Sequence, residues 1–244
     1  MTSAAAHVRE HHSLLAAGEK RLLVWMAHRL PGRVNSDHLT LLALIAMGLA
    51  GGAFAAARWY PPALWGVVGA LALNWFGDSL DGTLARVRRA ERPRYGFYVD
   101  HVLDIAGTTL LMGGLAVSGY MSPWVALMCL AAYLLVTAEI FLTTAVRGVF
   151  KMSFLWFGPT ELRIVLAIGA VALLGNPQVA LGAWGGHPLF DVGGAVAAFG
   201  LFTVFCWTAA KNTVLLFRLE PLGPAKAGHY EDTEARGGRL QPAR

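Results

Sequence analysis

The chain has 244 residues, of which 56% are hydrophobic and only 14% charged, with a formal net charge of +5. Soluble proteins carry about 25% charged residues, so this composition excludes an ordinary soluble enzyme and points to a chain that crosses a bilayer several times. The basic excess would suit nucleic acid, but its distribution along the chain, set out below, excludes that partner as well.

In chain order, the N-terminus is expected to carry no signal peptide, because His, Glu, Lys and Arg interrupt it before a long apolar core forms. Residues 13–30 read as an amphipathic helix. Leu15, Leu22, Leu23, Met26 and Leu30 fall on one side, with Lys20, Arg21 and His28 largely opposite. Such a helix suits the inner-leaflet interface, and a soluble helix packed on the loops is the alternative. Six mostly apolar runs follow, at about 38–58, 62–86, 97–118, 123–146, 161–176 and 189–216. The joints carry helix breakers: Pro61 and Pro62, Pro123 after Gly119, Pro159 after Gly158, and Pro177 after Gly175. From Glu220 onward apolar residues are few and disorder is expected. The fold expected is therefore an all-α integral membrane protein with six transmembrane helices and an N-terminal interfacial helix. Its divisions are an N-terminal region 1–36, a transmembrane domain 37–218 and a cytoplasmic tail 219–244. Cys129 and Cys206 lie in apolar runs without metal-ligand spacing and read as small buried hydrophobes.

Of the chain's 20 lysines and arginines, all but Arg58 precede the first span, lie near the end of the sixth or beyond it, or flank the links between spans two and three and between four and five. Positive charge prefers the cytoplasmic side. Both termini and these links are expected there, in a cytoplasmic membrane of bacterial type. The basic excess is topological, and no nucleic-acid partner is expected.

Where the second run ends and the third begins, the chain reads DSLDGTLARVRRAERPRYGFYVDHVLD from Asp78 to Asp104. Asp78 and Asp81 are three apart, and Asp100 and Asp104 four apart, so each pair shares a helix face. A short link makes the two helices antiparallel neighbours and brings the pairs to a common depth. A deep aspartate costs about 2.5–3.5 kcal/mol, and four cost on the order of 10 kcal/mol. Pairing with Arg86, Arg88, Arg89, Arg92 or Arg94 would offset one or two. Two divalent cations would balance all four, and oxygen-only donors suit Mg2+, Mn2+ or Ca2+ better than zinc.

The same stretch resembles the signature of the CDP-alcohol phosphotransferase family, DxxDGxxAR followed by GxxxDxxxD, with every fixed position present. The resemblance implies a membrane transferase of phospholipid synthesis. It would move a phospho-group from a CDP-linked donor to an alcohol acceptor and release CMP. Carried over, Asp78, Asp81, Asp100 and Asp104 would hold two divalent cations, Mg2+ or Mn2+, with Asp104 also the catalytic base. Gly82, Ala85 and Gly96 would make room for the nucleotide, Arg86 would hold the diphosphate, and the enzyme would be a homodimer among membrane lipids. Close helix packing is the structural alternative for Gly82 and Gly96.

Other residues carry less. Asn35 and Thr40 match polar positions that many family members have at the entry to the first span, and could line the nucleotide pocket. Helix capping by Ser36 or Asp37 explains much of that segment equally well. His101, as the chain neighbour of Asp100, points about 100° away from it, which suits packing or support of the residues that hold the site. Glu139 is an intramembrane acid, functional or paired with a neighbouring helix. Arg147, Lys151 and Arg163 could bind an acceptor phosphate, although positive-inside anchoring also accounts for them. The donor could be CDP-diacylglycerol or a CDP-amino alcohol. A divalent-cation transporter or channel built on the aspartates is the rival from another class, and it leaves the Gly and Arg positions of the signature unexplained.

Overall fold

The computed structural model describes residues 16–147, 159–180 and 185–220. Lys151 and nearly all of the expected tail lie outside these residues. The chain divides into two compact units, one through Cys206 and one from Trp207. The helices are α1 (Ala16–Arg29), α2 (Ser36–Ala57), α3 (Leu64–Val87), α4 (Pro93–Ser118), α5 (Pro123–Arg147), α6 (Pro159–Gly175) and α7 (Leu189–Leu219), with a 3-10 turn at Pro61–Ala63. The second unit holds the end of α7.

Local chemistry sets most of the boundaries. α4 begins at Pro93, earlier than the apolar run predicts, because proline is pre-shaped for the first helical turn. It ends at Gly119, whose φ of 81° lies in the left-handed region that glycine enters without strain. α2 is capped by Asn35. Its Oδ1 accepts from the His38 backbone N–H at 3.0 Å, and its own N–H donates to His38 Nδ1 at 3.3 Å. The cap therefore comes from Asn35 rather than from Ser36 or Asp37. The link between α6 and α7 contains a small antiparallel hairpin that the sequence did not suggest, β1 (Gln178–Ala180) paired with β2 (Gly186–Pro188).

Among the described residues, α2, α4, α5 and α7 are long and apolar enough to cross a membrane. The chain is thus a largely helical integral membrane protein. The other two expected spans are present as helices of different character. α3 carries Asp78, Asp81 and Arg86 in its second half, and α6 has 17 residues, about 26 Å against a hydrocarbon core of about 30 Å. Outward faces are apolar, with Leu41, Ile45 and Leu49 spaced along α2 and each about half exposed, as expected where lipid is the solvent. Cys129 is buried, but Cys206 is exposed on α7, which corrects its reading as a buried hydrophobe.

In the first unit α2 packs on α3 and α4, α3 on α1 and α6, and α4 on α5. Small residues allow the α2–α4 crossing: a Cβ added at Gly114 would come within 2.0 Å of Gly51 O. One core cluster joins Phe54 of α2, Leu64 and Val67 of α3, Leu115 of α4 and Phe190 of α7. A second joins Leu23 and Ala27 of α1 to Leu39 of α2 and Leu80 and Leu84 of α3. The apolar stripe expected on the N-terminal helix is therefore divided. Leu23 turns onto the neighbouring helices, and Leu22 stays exposed. Leu15 lies outside the described residues.

Candidate active site

The site forms where α3 ends and α4 begins. The chain turns between them through residues 88–92, with Arg89 in the left-handed region at a φ of 53°. Asp78 from α3 and Asp100 and Asp104 from α4 each offer a carboxylate oxygen, all within 4.8 Å of one another. All three residues are partly buried. Three carboxylates this close repel strongly in a medium poorer than water. A hard cation with oxygen ligands, such as Mg2+ or Mn2+, fits the donor set and would relieve the repulsion.

Asp81 belongs to a neighbouring network. Its Oδ2 accepts from Thr40 Oγ1 at 2.7 Å, and its Oδ1 accepts from the Gly82 backbone N–H. Ser36 Oγ donates to the Asp81 carbonyl at 2.7 Å. The first turns of α2 are thus fastened to the α3 segment that carries the aspartates, and Thr40 is placed beside Asp81.

Gly82 and Gly96 are not helix-packing glycines. Among the described residues, a Cβ at Gly82 would meet only the Arg86 Nη1 at 3.6 Å, and one at Gly96 would meet nothing within 4 Å. The tight α2–α3 contact instead falls at Gly77, where a Cβ would lie 2.6 Å from Leu39 O. Arg86 is exposed, and its Nη2 donates to Thr83 Oγ1 at 3.1 Å. A cavity of about 420 Å³ opens between the start of α2 and the end of α3, lined by Asn35 and Ala85 together with Arg88 and Arg92. The three clustered aspartates are not part of its lining.

The remaining candidates are dispersed along the chain. Arg163 projects from α6 into the site, where its Nη2 donates to Asp78 Oδ2 at 2.6 Å and its Nε to Asn74 Oδ1 at 2.7 Å. Glu139 is buried on α5 and accepts from Thr143 Oγ1 at 2.8 Å, while Arg147 closes α5. His101 packs against the rings of Phe97 and Phe141, with centroids 4.3 and 5.4 Å away.

One residue of the site is not singled out by the sequence reading, and another has a different partner from the one expected. Asn74 lies four residues before Asp78 and is 5% exposed. A polar residue inside an apolar run was its visible signal. Arg88 donates to the carbonyls of Val34, Leu30 and Pro31, tying the link between α1 and α2 to the end of α3. Arg88 was expected as a possible partner of an aspartate, and these backbone carbonyls take its donors instead.

One comparison with known proteins gives a match. A family model described as CDP-alcohol phosphatidyltransferase matches residues 34–211, a stretch that takes in Asn35, the four aspartates and Arg163. No curated protein matches the chain.

Proposed function

Because the chain belongs to the CDP-alcohol phosphatidyltransferase family, we propose that it is a divalent-cation-dependent transferase of phospholipid synthesis. It takes a phospho-group from a CDP-linked donor, passes it to an alcohol hydroxyl and releases CMP. The observation that carries this reading is the convergence of Asp78, Asp100 and Asp104 within 4.8 Å, inside a sequence signature with no fixed position missing. Asp78, Asp100 and Asp104 would hold Mg2+ or Mn2+, with Asp81 completing a set for two cations. Cations held there would supply neutralisation of the charge on the donor's diphosphate and on the departing CMP.

The chain's own groups supply the rest. The acceptor hydroxyl attacks the phosphorus distal to cytidine, the bond to the CMP oxygen breaks, and Asp104 takes the hydroxyl proton. The open backbone at Gly82 and Gly96 supports close approach of a nucleotide. The cavity lined by Asn35, Ala85, Arg88 and Arg92 would offer it polar and cationic partners, and Arg86, which is exposed, would hold the diphosphate. Six membrane-crossing helices, an interfacial α1, cytoplasmic termini and a cytoplasmic active site complete the proposal. The homodimer follows the family resemblance alone.

Reconstitution with Mg2+ or Mn2+ and a panel of CDP-linked donors and alcohol acceptors tests the reading, with CMP and lipid product followed by mass spectrometry. Cation-dependent CMP release with one donor–acceptor pair is expected. Cation flux across the vesicle membrane without CMP would replace the proposal with the transporter reading.

A further inference from the structure

Asn74 and Asp78 are four residues apart on α3 and share a face. Both meet the same edge of the Arg163 guanidinium. That edge, with Nε–H and Nη2–H side by side, is one an arginine uses to grip both oxygens of a carboxylate. Here it is divided: Nε goes to Asn74 Oδ1 at 2.7 Å and Nη2 to Asp78 Oδ2 at 2.6 Å. The Asn74 amide cannot turn away freely. Its Nδ2 donates to the Ala43 carbonyl of α2 at 3.0 Å, which leaves Oδ1 pointing to the arginine.

The base of α6 is also held. Thr160 Oγ1 and Trp75 Nε1 both donate to Glu19 Oε1, at 2.9 and 2.6 Å, which ties the turn before Arg163 to α1 and α3. Two anchors therefore set the arginine's reach, and the neutral amide occupies half of its grip without adding charge.

We propose that Asn74 is a positioning residue: by holding Arg163 Nε it keeps the guanidinium from closing over both oxygens of Asp78, and so leaves Asp78 Oδ1 available to a divalent cation. This inference rests on reading the aspartate cluster as a cation site. An ordinary interhelical strut would use the same contacts, but it predicts a different response to mutation.

The test is Mn2+ binding to the full-length protein in detergent, followed by the electron paramagnetic resonance signal of free Mn2+. The proteins compared are wild type, Asn74→Leu, Arg163→Lys and the double variant. A lysine ammonium has no two-pronged edge. Asn74→Leu is expected to weaken Mn2+ binding about tenfold, whereas in the Arg163→Lys background the same substitution leaves the affinity unchanged. If Asn74→Leu fails to fold, Asn74→Ser, whose hydroxyl is too short to hold Nε, takes its place in both backgrounds.

Equal Mn2+ affinity in wild type and the Asn74 variant, or an equal loss in both backgrounds, overturns the proposal. A wild type that binds no Mn2+ overturns the cation site and this inference together. A wild type that binds Mn2+ but releases no CMP overturns the transferase reading alone, and the Asn74 comparison still decides this one.

Discussion

Gly77 lies between Asn74 and Asp78, facing α2, and Gly77→Ala tests how closely the site depends on that contact. The new Cβ would sit 2.6 Å from Leu39 O and 2.9 Å from Ala43 N, where ordinary contact begins at 3.4 Å. Both neighbours are backbone atoms, so relief requires α2 and α3 to part by about 0.8 Å. Stretched by that amount, Thr40 Oγ1 to Asp81 Oδ2 grows from 2.7 Å, and Asn74 Nδ2 to Ala43 O from 3.0 Å. Both then reach or pass the limit of about 3.5 Å for a hydrogen bond. Losing two bonds costs about 2 kcal/mol, and residual overlap adds about 1 kcal/mol. Replacing glycine by alanine in a helix returns about 1 kcal/mol, so the net destabilisation is about 2 kcal/mol.

In a chain of this size that corresponds to a Tm lower by about 4–8 °C, read by thermal unfolding of the detergent-solubilised protein. Gly113→Ala is the control. Its Cβ would meet nothing within 4 Å, and helix propensity alone should raise the Tm slightly. A Gly77→Ala protein that melts with wild type or above it would refute the close crossing, and with it the reasoning that ties Thr40 and Asn74 to α2–α3 packing.

Asp104→Asn should lower CMP release by at least about 100-fold while leaving the melting curve in place; normal turnover on the true substrate pair would remove Asp104 as the base. Gly96→Ala should fold as wild type, since its Cβ meets nothing within 4 Å, yet lower kcat/KM for the CDP-linked donor about tenfold if the nucleotide approaches that backbone. Unchanged donor kinetics would place the nucleotide elsewhere. Thr40→Val preserves shape but removes the 2.7 Å bond to Asp81. A loss of about 1 kcal/mol in stability is expected, with a higher Mg2+ requirement in the CMP assay. An unchanged Mg2+ titration would separate Asp81 from cation binding.

Much of this protein was legible before its structure. Composition and apolar run length act within short stretches of chain, so the membrane-protein class and the positions of the long helices followed from the sequence. The short link between α3 and α4 brings three of the aspartates within 4.8 Å of one another, but the expected side-by-side packing of those two helices is corrected, since α3 and α4 each pack on α2 instead. The signature from Asp78 to Asp104 was likewise local, and the family match over 34–211 agrees with it.

Tertiary structure decided what depends on partners distant in sequence. Arg163 is 85 residues from Asp78 and 89 from Asn74, and no periodicity announces that α6 turns it onto that carboxylate rather than toward a lipid headgroup. The separate placement of Asp81 depends on Thr40, 41 residues away. Which glycines serve packing was also undetermined, since Gly77 and Gly96 look alike in one dimension. Only the approach of another helix's backbone distinguishes them. Sequence specified the reactive residue types and their helical spacing, because those obey local geometry. The side chain that restrains each carboxylate was set by the packing of α2, α3 and α6, because such contacts exist only once the helices have met.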